Sequence, residues 1–415
     1  MQRNKSMKYF KNTEAASIYK VSEKSVRNWI VAAQSGKLDL ELYQHGEKFY
    51  IANTVNNDVA IKALVARGQK YKNSRGRITV KPDRKFYSVY NPRQIFDILS
   101  SLDIHREIPL QYTYVEEGAE HWDLYTKRLE QEKKTNTLNA TIELLKDSSA
   151  HLDLLLDGVK RVNVIDLGTG NALPVKAFLQ ELKNRDILSR YIGLDISEEM
   201  LKIASKNLNE WFGDDIVYET HLKDINYNHF EHLIAEDAFT SEEEKTSNIV
   251  LLLGGTLSNM RTPTRVLQLV NDSMGRNDLI MYSLKLDSEN SRRYFNLDAM
   301  RQSSKLNPQL GYVLNLLNIP EDSYDAEYIF DKDRRARFVY VVMNTDVSIE
   351  FEIGTVTRLI TLKKGEKVGL WRARHQTTLE VFQEFENAGF DLLHASKTPD
   401  QEYLFTISKV KNEIS

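Results

Sequence analysis

The chain has no cysteine among its 415 residues. That excludes disulfides, thiolate zinc sites and any reaction run through a cysteine nucleophile. No stretch approaches the roughly 18 consecutive apolar residues of a membrane span. The opening MQRNKSMKYF lacks the apolar core of a secretory signal. The expectation is a cytoplasmic protein with no membrane partner. The histidines show neither the i, i+4 pairing nor the carboxylate spacing of a metal site, so no metal is expected.

What is present is length and an uneven charge. A chain of 415 residues can bury a large core, and two or three domains are expected. The net charge of −3 conceals an asymmetry: residues 1–90 carry 18 Lys+Arg against 7 Asp+Glu, and the remainder 38 against 52. A basic head on an acidic body points to an anionic partner for the head, most simply nucleic acid.

The chemistry is concentrated in Val162 to Leu201. Val162, Val164, Ile165 and Leu167 alternate as a buried strand would, and the chain then turns on Gly168 and Gly170. Val175, Phe178, Leu179 and Leu182 mark one face of a helix, and a second strand from Tyr191 ends on Asp195. This is one nucleotide-binding βαβ half, with an acid placed to meet the two hydroxyls of a ribose. Two details separate it from a nicotinamide site. Asp166 precedes the G-x-G, and Leu173 stands where the third glycine would be, so no helix N-terminus is left free for a pyrophosphate.

An acid just before G-x-G, with a second acid ending the next strand, resembles the class I S-adenosylmethionine (SAM) methyltransferases. The resemblance implies that SAM is the cofactor. Asp166, Gly168, Thr169 and Gly170 would lie at its methionine end, and Asp195 with Ile196 at its ribose. After a third strand, Asp224 would meet the adenine amino group, with Ile225 beside the ring. A βαβ unit without a ligand is the plainer alternative. The missing cysteine also excludes the DNA cytosine-C5 enzymes of this class.

A second informative stretch is Ser247 to Met260, SNIVLLLGGTLSNM. An apolar strand ends in Gly254-Gly255-Thr256-Leu257-Ser258-Asn259, not in the D/N-P-P-Y/F of the amino-methylating DNA enzymes. This resembles the L-G-G-T-x-x-N of the histidine-specific Nα-methyltransferases, and the similarity runs over roughly residues 86–410. It implies that Gly254 lies at the junction of substrate and cofactor. Asn259 would bind the substrate's carboxylate or amine. Tyr282 or Asp287, near the end of the fifth strand, could take the amine's proton. Tyr112, with Tyr114 and Trp122, would close over the site, and Phe338 and Trp371 would line the substrate pocket.

One departure bears on the substrate. Aligned from Gly365-Glu366, Trp371 and Ala373 stand where the family has a glutamate and a serine for the imidazole, and Arg337 replaces an acid. A pocket without those polar partners cannot reject a wrong side chain strongly. An acidic or aromatic amine suits it better than histidine. Arg292-Arg293 and Arg334-Arg335-Arg337 read as solvated faces, or else as partners of a substrate carboxylate.

At the N-terminus, a first helix with Ala15, Ala16 and Ile18, a turn at Val21-Ser22, a second helix with Val26, Trp29 and Ile30, and a hairpin around His45-Gly46 follow in order. That order resembles the MerR and excisionase DNA-binding heads. It implies a winged helix-turn-helix whose outward Lys24, Ser25, Arg27 and Asn28 meet DNA. Such heads work in dimers, but no long heptad run is present to make the homodimer.

The expected fold is α/β, a Rossmann-like class I methyltransferase core with a strand-rich substrate-binding insert and a small N-terminal winged helix-turn-helix domain. The spans are 1–55 for the head, 56–85 for a basic linker and 86–160 for a helical lid. The SAM-binding core follows at 161–287, the insert at 288–366 and the return to the core at 367–415. Three functions fit: methylation of an amino acid or small amine, a DNA-binding regulator that senses SAM through a domain that no longer turns over, and methylation of protein or RNA.

Overall fold

The computed structural model describes residues 8–73, 77–132, 135–234, 245–289 and 306–411. The side chains of the basic run 70–76 lie outside the described residues, as do Arg292, Arg293, Phe295, Asn296 and most of the acidic stretch 231–245. The chain divides into two compact units, Met1–Ile78 and Thr79–Ser415.

The first unit runs β1 (Tyr9–Phe10), α1 (Asn12–Tyr19), α2 (Glu23–Gln34), β2 (Leu42–His45), β3 (Lys48–Ala52) and α3 (Val55–Asn73). Lys20, at φ 53°, turns the chain between α1 and α2, and the Ser22 hydroxyl caps α2 by accepting the Ser25 N–H at 3.1 Å. Val26 and Ile30 of α2 pack with Ala15, Ala16, Phe10 and Ile51. Ile61 of α3 is fully buried in the same cluster. That burial is why α3 is part of this unit, where the sequence suggested a linker from residue 56 and a boundary near 85.

In the second unit β4 (Arg77–Val80) carries the chain across the boundary. It is followed by α4 (Arg84–Val89), α5 (Pro92–Ser100), α6 (Glu117–Gln131), α7 (Thr137–Asp147) and α8 (Ser149–Leu155). A π-helical turn at Ser101–His105 follows α5, and Arg106 after it is left-handed at φ 53°. Helices α6 and α7 are close enough in sequence to have run on as one. The chain breaks instead because Asn136 and Asn139 donate their amides to the carbonyls of Leu129 and Glu132 at 2.8–3.2 Å, while Asn136 caps α7.

The core then alternates: β5 (Arg161–Leu167), α9 (Lys176–Asn184), β6 (Leu188–Asp195), α10 (Glu198–Phe212), β7 (Tyr218–Leu222), α11 (Glu231–Ile234), β8 (Thr246–Leu252), α12 (Thr256–Asn259), α13 (Pro263–Ser273) and β9 (Leu279–Lys285). After α14 (Pro308–Leu316) come β10 (Tyr324–Asp331), β11 (Ala336–Met343), β12 (Asp346–Ile353), β13 (Val356–Leu362), β14 (Lys367–Arg374), α15 (Thr378–Asn387), β15 (Phe390–Lys397) and β16 (Tyr403–Val410).

The main sheet has seven strands in the order β15-β16-β9-β8-β5-β6-β7. The strands β5 to β9 are parallel, with Ile165 opposite both Ile192 and Val250, and β16 lies antiparallel to β9. Both faces are covered. Val162 and Val164 pack with Phe178, Leu179 and Leu208 on one side, and Ile165 and Leu167 with Val266, Val270 and Phe385 on the other. Chain order reverses between β5 and β8, and ligands of open α/β sheets bind at the carboxyl ends of strands around such a switch point.

The inserted strands form two small sheets, β10-β11-β14 and β13-β12-β4. Strand β14 pairs with β11, Trp371 opposite Val339. Trp371 and Ala373 therefore belong to the insert, past the 288–366 span read from the sequence. The return to the core starts at α15, where Thr377 makes a capping box with Glu380.

Candidate active site

The first cleft lies at the switch point. It is lined by Gly168 and Gly170 after β5, Asp195 and Ile196 after β6, Asp224 and Ile225 after β7, and Gly254, Thr256 and Asn259 after β8. Each strand ends where the parallel sheet leaves its carbonyl edge open, so residues far apart in sequence meet there. Gly168 and Gly170 have φ of 75° and 54°, which favours glycine. A Cβ on Gly168 would sit 3.1 Å from the Thr256 methyl, and one on Gly170 would sit 3.6 Å from the Trp122 indole nitrogen.

Asp195 holds the turn together. Its carboxylate accepts the Gly170 N–H at 3.1 Å and the Ser197 N–H at 3.0 Å. Burial pushes its carboxyl up, and these backbone donors pull it back. Asp224 takes the Asn226 backbone and amide N–H groups on Oδ1, each at 2.9 Å. Its Oδ2 accepts no hydrogen bond among the described residues.

Asp166 and Thr169 do not line this cleft. They lie beneath it, where Asp166 accepts the Tyr191 hydroxyl at 2.8 Å and Thr169 bonds the same hydroxyl. Burial pushes the Asp166 carboxyl up to about 6, against the lowering by Tyr191 and Thr169. Asp166 thus fixes the floor of the turn.

From the helical segment before β5, Leu110, Gln111, Tyr114 and Trp122 reach the cleft. Tyr114 and Trp122 meet edge to face at 5.5 Å, and burial pushes the Tyr114 phenol up. Tyr112 points elsewhere: its hydroxyl donates to Asp97 at 2.7 Å and its carbonyl accepts Tyr90 at 2.6 Å.

Tyr282 and Asp287 do not line this cleft. Tyr282 is 1% exposed and packs 5.1 Å from Phe385. The Asp287 side chain is fully buried, 3.7 Å from Arg335.

A second cleft, of about 360 Å³, adjoins the first through Met260, which lines both. Phe338 and Trp371 line it together with His105, Arg106 and Glu107, Arg261, Arg334 and Tyr340, and Arg372 and Arg374. The π-helical turn delivers His105 to Glu107, and it is anchored by Gly369 N–H to Arg106 O and Ile108 N–H to Gly369 O, both 2.8 Å. Phe338, Trp371 and Arg334 were among the residues named from the sequence, whereas sequence reasoning missed His105 to Glu107, Arg372 and Arg374. They come from a loop and from β14, and only the sheet pairing brings them together. Met260 and Arg261 could have been found, since they directly follow the G-G-T-x-x-N stretch.

A seven-stranded doubly wound sheet with an acid-bounded glycine turn at its switch point defines a Rossmann-like, class I type of methyltransferase fold. Residues 93–410 match the family model for SAM-dependent histidine-specific methyltransferases, and the chain belongs to that family. SAM is its cofactor. No curated protein matches the chain. Similar solved structures include a SAM-dependent methyltransferase from Clostridium acetobutylicum ATCC 824 (10% identity, 71% of this chain and 98% of that one, TM-score 0.38). Another is magnesium protoporphyrin IX methyltransferase from Synechocystis PCC 6803 with bound SAH (11%, 73% and 98%, 0.37). A third is the glycopeptide N-methyltransferase MtfA complexed with sinefungin (12%, 78% and 98%, 0.34). No helix among the described residues is long and apolar enough to cross a membrane.

Proposed function

We propose that this protein N-methylates an amino acid or small amine, with SAM in the first cleft and the acceptor in the second. The observation that carries this is the shared wall: Met260 lines both clefts, and Asn259 beside it lines the first. When bound, SAM supplies a methyl group already activated by its sulfonium, so the protein's task is positioning.

The residues present fit that cofactor. Gly168 and Gly170 let the backbone come close. Asp195 retains lone pairs for two hydroxyls, and Asp224 has a free Oδ2 for an amino group, with Ile196 and Ile225 as apolar neighbours. Tyr114 and Trp122 exclude water from the cleft. The Asn259 amide makes no hydrogen bond among the described residues and can orient the acceptor by donating and accepting at once. Tyr282 and Asp287 are buried and line neither cleft, so on this reading the amine arrives deprotonated or loses its proton to water. The test is incubation of a metabolite extract with the protein and methyl-labelled SAM. A new labelled amine in the mass spectrum supports the reading. SAM binding with no labelled product favours a SAM-sensing regulator.

We infer in addition that the first unit is a winged helix-turn-helix that binds DNA. Lys24, Arg27 and Asn28 are exposed on α2 while Val26 and Ile30 are buried. Among the described residues Arg27 pairs with the exposed Glu23, at 3.3 Å, a bond that a phosphate can replace. Ser25 is half-buried at the helix cap, 2.9 Å from the Ser22 hydroxyl, and contributes less than its neighbours. Fluorescence anisotropy with labelled duplexes at several salt concentrations tests this. Absence of binding at low salt contradicts it.

A further inference from the structure

We propose that the methyl acceptor is an amino acid with an anionic side chain, whose carboxylate or phosphate is held by guanidinium groups in the second cleft, foremost Arg261. This rests on the reading of that cleft as the acceptor's.

Among the described residues, the lining of the cleft carries five arginines and one carboxylate, Glu107. Four of the arginines have acidic partners: Arg372 has Glu107, Arg374 has Glu384, Arg106 has Glu366 at 3.4 Å and Arg334 has Asp331 at 3.7 Å. Three of those four acids stand outside the lining, so the cleft itself presents a surplus of positive charge. Arg261 is exposed and makes no ion pair or hydrogen bond among the described residues. A free guanidinium at the mouth of a cation-rich cleft offers paired donors for a planar anion.

The floor agrees with this. Phe338 stacks on Tyr340 at 5.3 Å and 21°, with the Arg334 guanidinium 5.8 Å above Phe338. Aromatic faces hold the guanidinium groups in place and leave their edges for a ligand.

Position sets the size of the ligand. Asn259 lines the cofactor cleft, Met260 both clefts and Arg261 the second alone. Two residues of extended chain span about 7 Å. An amine held at Asn259 and an anion held at Arg261 therefore fit on one small molecule. An imidazole would find no free carboxylate among the described residues of this cleft, since the one there, Glu107, is bound to Arg372.

The test measures methyl transfer from labelled SAM to L-glutamate, L-aspartate, O-phospho-L-serine, L-glutamine and L-histidine, beside calorimetric titration of SAH. The expected result is a kcat/KM at least ~10-fold higher for one of the three anionic amino acids than for L-glutamine or L-histidine. O-phospho-L-serine against the two dicarboxylates tells phosphate from carboxylate. Arg261→Ala, a change at an exposed residue, should raise KM for the preferred acceptor ~10- to 30-fold and leave SAH affinity unchanged, and Arg261→Lys should recover part of the loss. Preference for L-histidine or L-glutamine overturns the proposal. So does an unchanged KM in Arg261→Ala, or transfer to none of the five while SAH binds. Failure of SAH to bind overturns it together with the reading of the first cleft.

Discussion

Replacing Asp195 by asparagine changes one atom and should cost the protein on two counts. The carboxylate accepts one backbone N–H on each oxygen, from Ser197 at 3.0 Å and from Gly170 at 3.1 Å. Asparagine offers one acceptor oxygen, so its NH2 must face the other N–H. A buried donor left without a partner costs about 1–3 kcal/mol. Release from the burial that pushes the Asp195 carboxyl up offsets part of this, so the loss in folding stability should fall near the lower end. Binding suffers separately. A hydroxyl given to a charged acceptor is worth about 1–2 kcal/mol more than one given to a neutral amide, or roughly 5- to 30-fold in Kd. Urea denaturation measures the first effect, and calorimetric titration of SAH the second. Asp195→Asn with SAH affinity within ~2-fold of the parent and a folded, destabilised protein would refute the ligand-binding role and leave Asp195 as a brace for the turn.

Three further outcomes follow from the same geometry. The Asp166 carboxyl is pushed up to about 6, so between its ordinary value near 4 and 6 the unfolded chain releases a proton that the native state keeps. The contribution of Asp166 to stability is fully present below that range and falls by up to ~3 kcal/mol as pH rises through it, and urea titrations of Asp166→Asn at several pH values should show that part of the slope removed. Tyr282→Phe should leave kcat within about 2-fold of the parent because the ring is buried in the core, whereas a ~100-fold loss with the fold intact would restore Tyr282 as a base. Lys24→Ala and Arg27→Ala should each weaken duplex binding about equally across sequences and lower the salt slope by about 1, as anisotropy would report.

The core was readable because two periods and two glycines carry it. Alternation in Val162 to Leu167 and helical spacing from Val175 to Leu182 place the βαβ unit, and strand-terminal acids mark the open edge of the sheet. Seven of the nine residues expected at the cofactor come together in the first cleft. Asp166 and Thr169 do not, because Tyr191, on the neighbouring strand, turns both toward itself. Nothing in the local sequence announces that partner. Tyr282 and Asp287 stand apart from the clefts for a related reason: the face a side chain takes near a strand's end depends on what packs there, Phe385 in one case and Arg335 in the other. The second cleft was the least legible. Phe338 and Trp371 were expected in it and Arg334 was named as a possible anion partner, but the other four arginines come from the π-helical turn, α12's exit and β14, and only the pairing of β14 with β11 gathers them. The break between α6 and α7 carries no glycine or proline and rests on asparagine side chains taking backbone carbonyls, a use that the helical period does not reveal.

The most direct measurement is calorimetric titration of SAH into the full-length protein, repeated with Gly170→Val. The central claim is that the cleft between β5 and β8 holds the cofactor. It predicts a single saturable site in the parent, and at least ~10-fold weaker binding in the variant, whose side chain would fill the space against Trp122 and Met200 and strain a backbone at φ 54°. No binding to the parent, or equal binding to a folded variant, would contradict it.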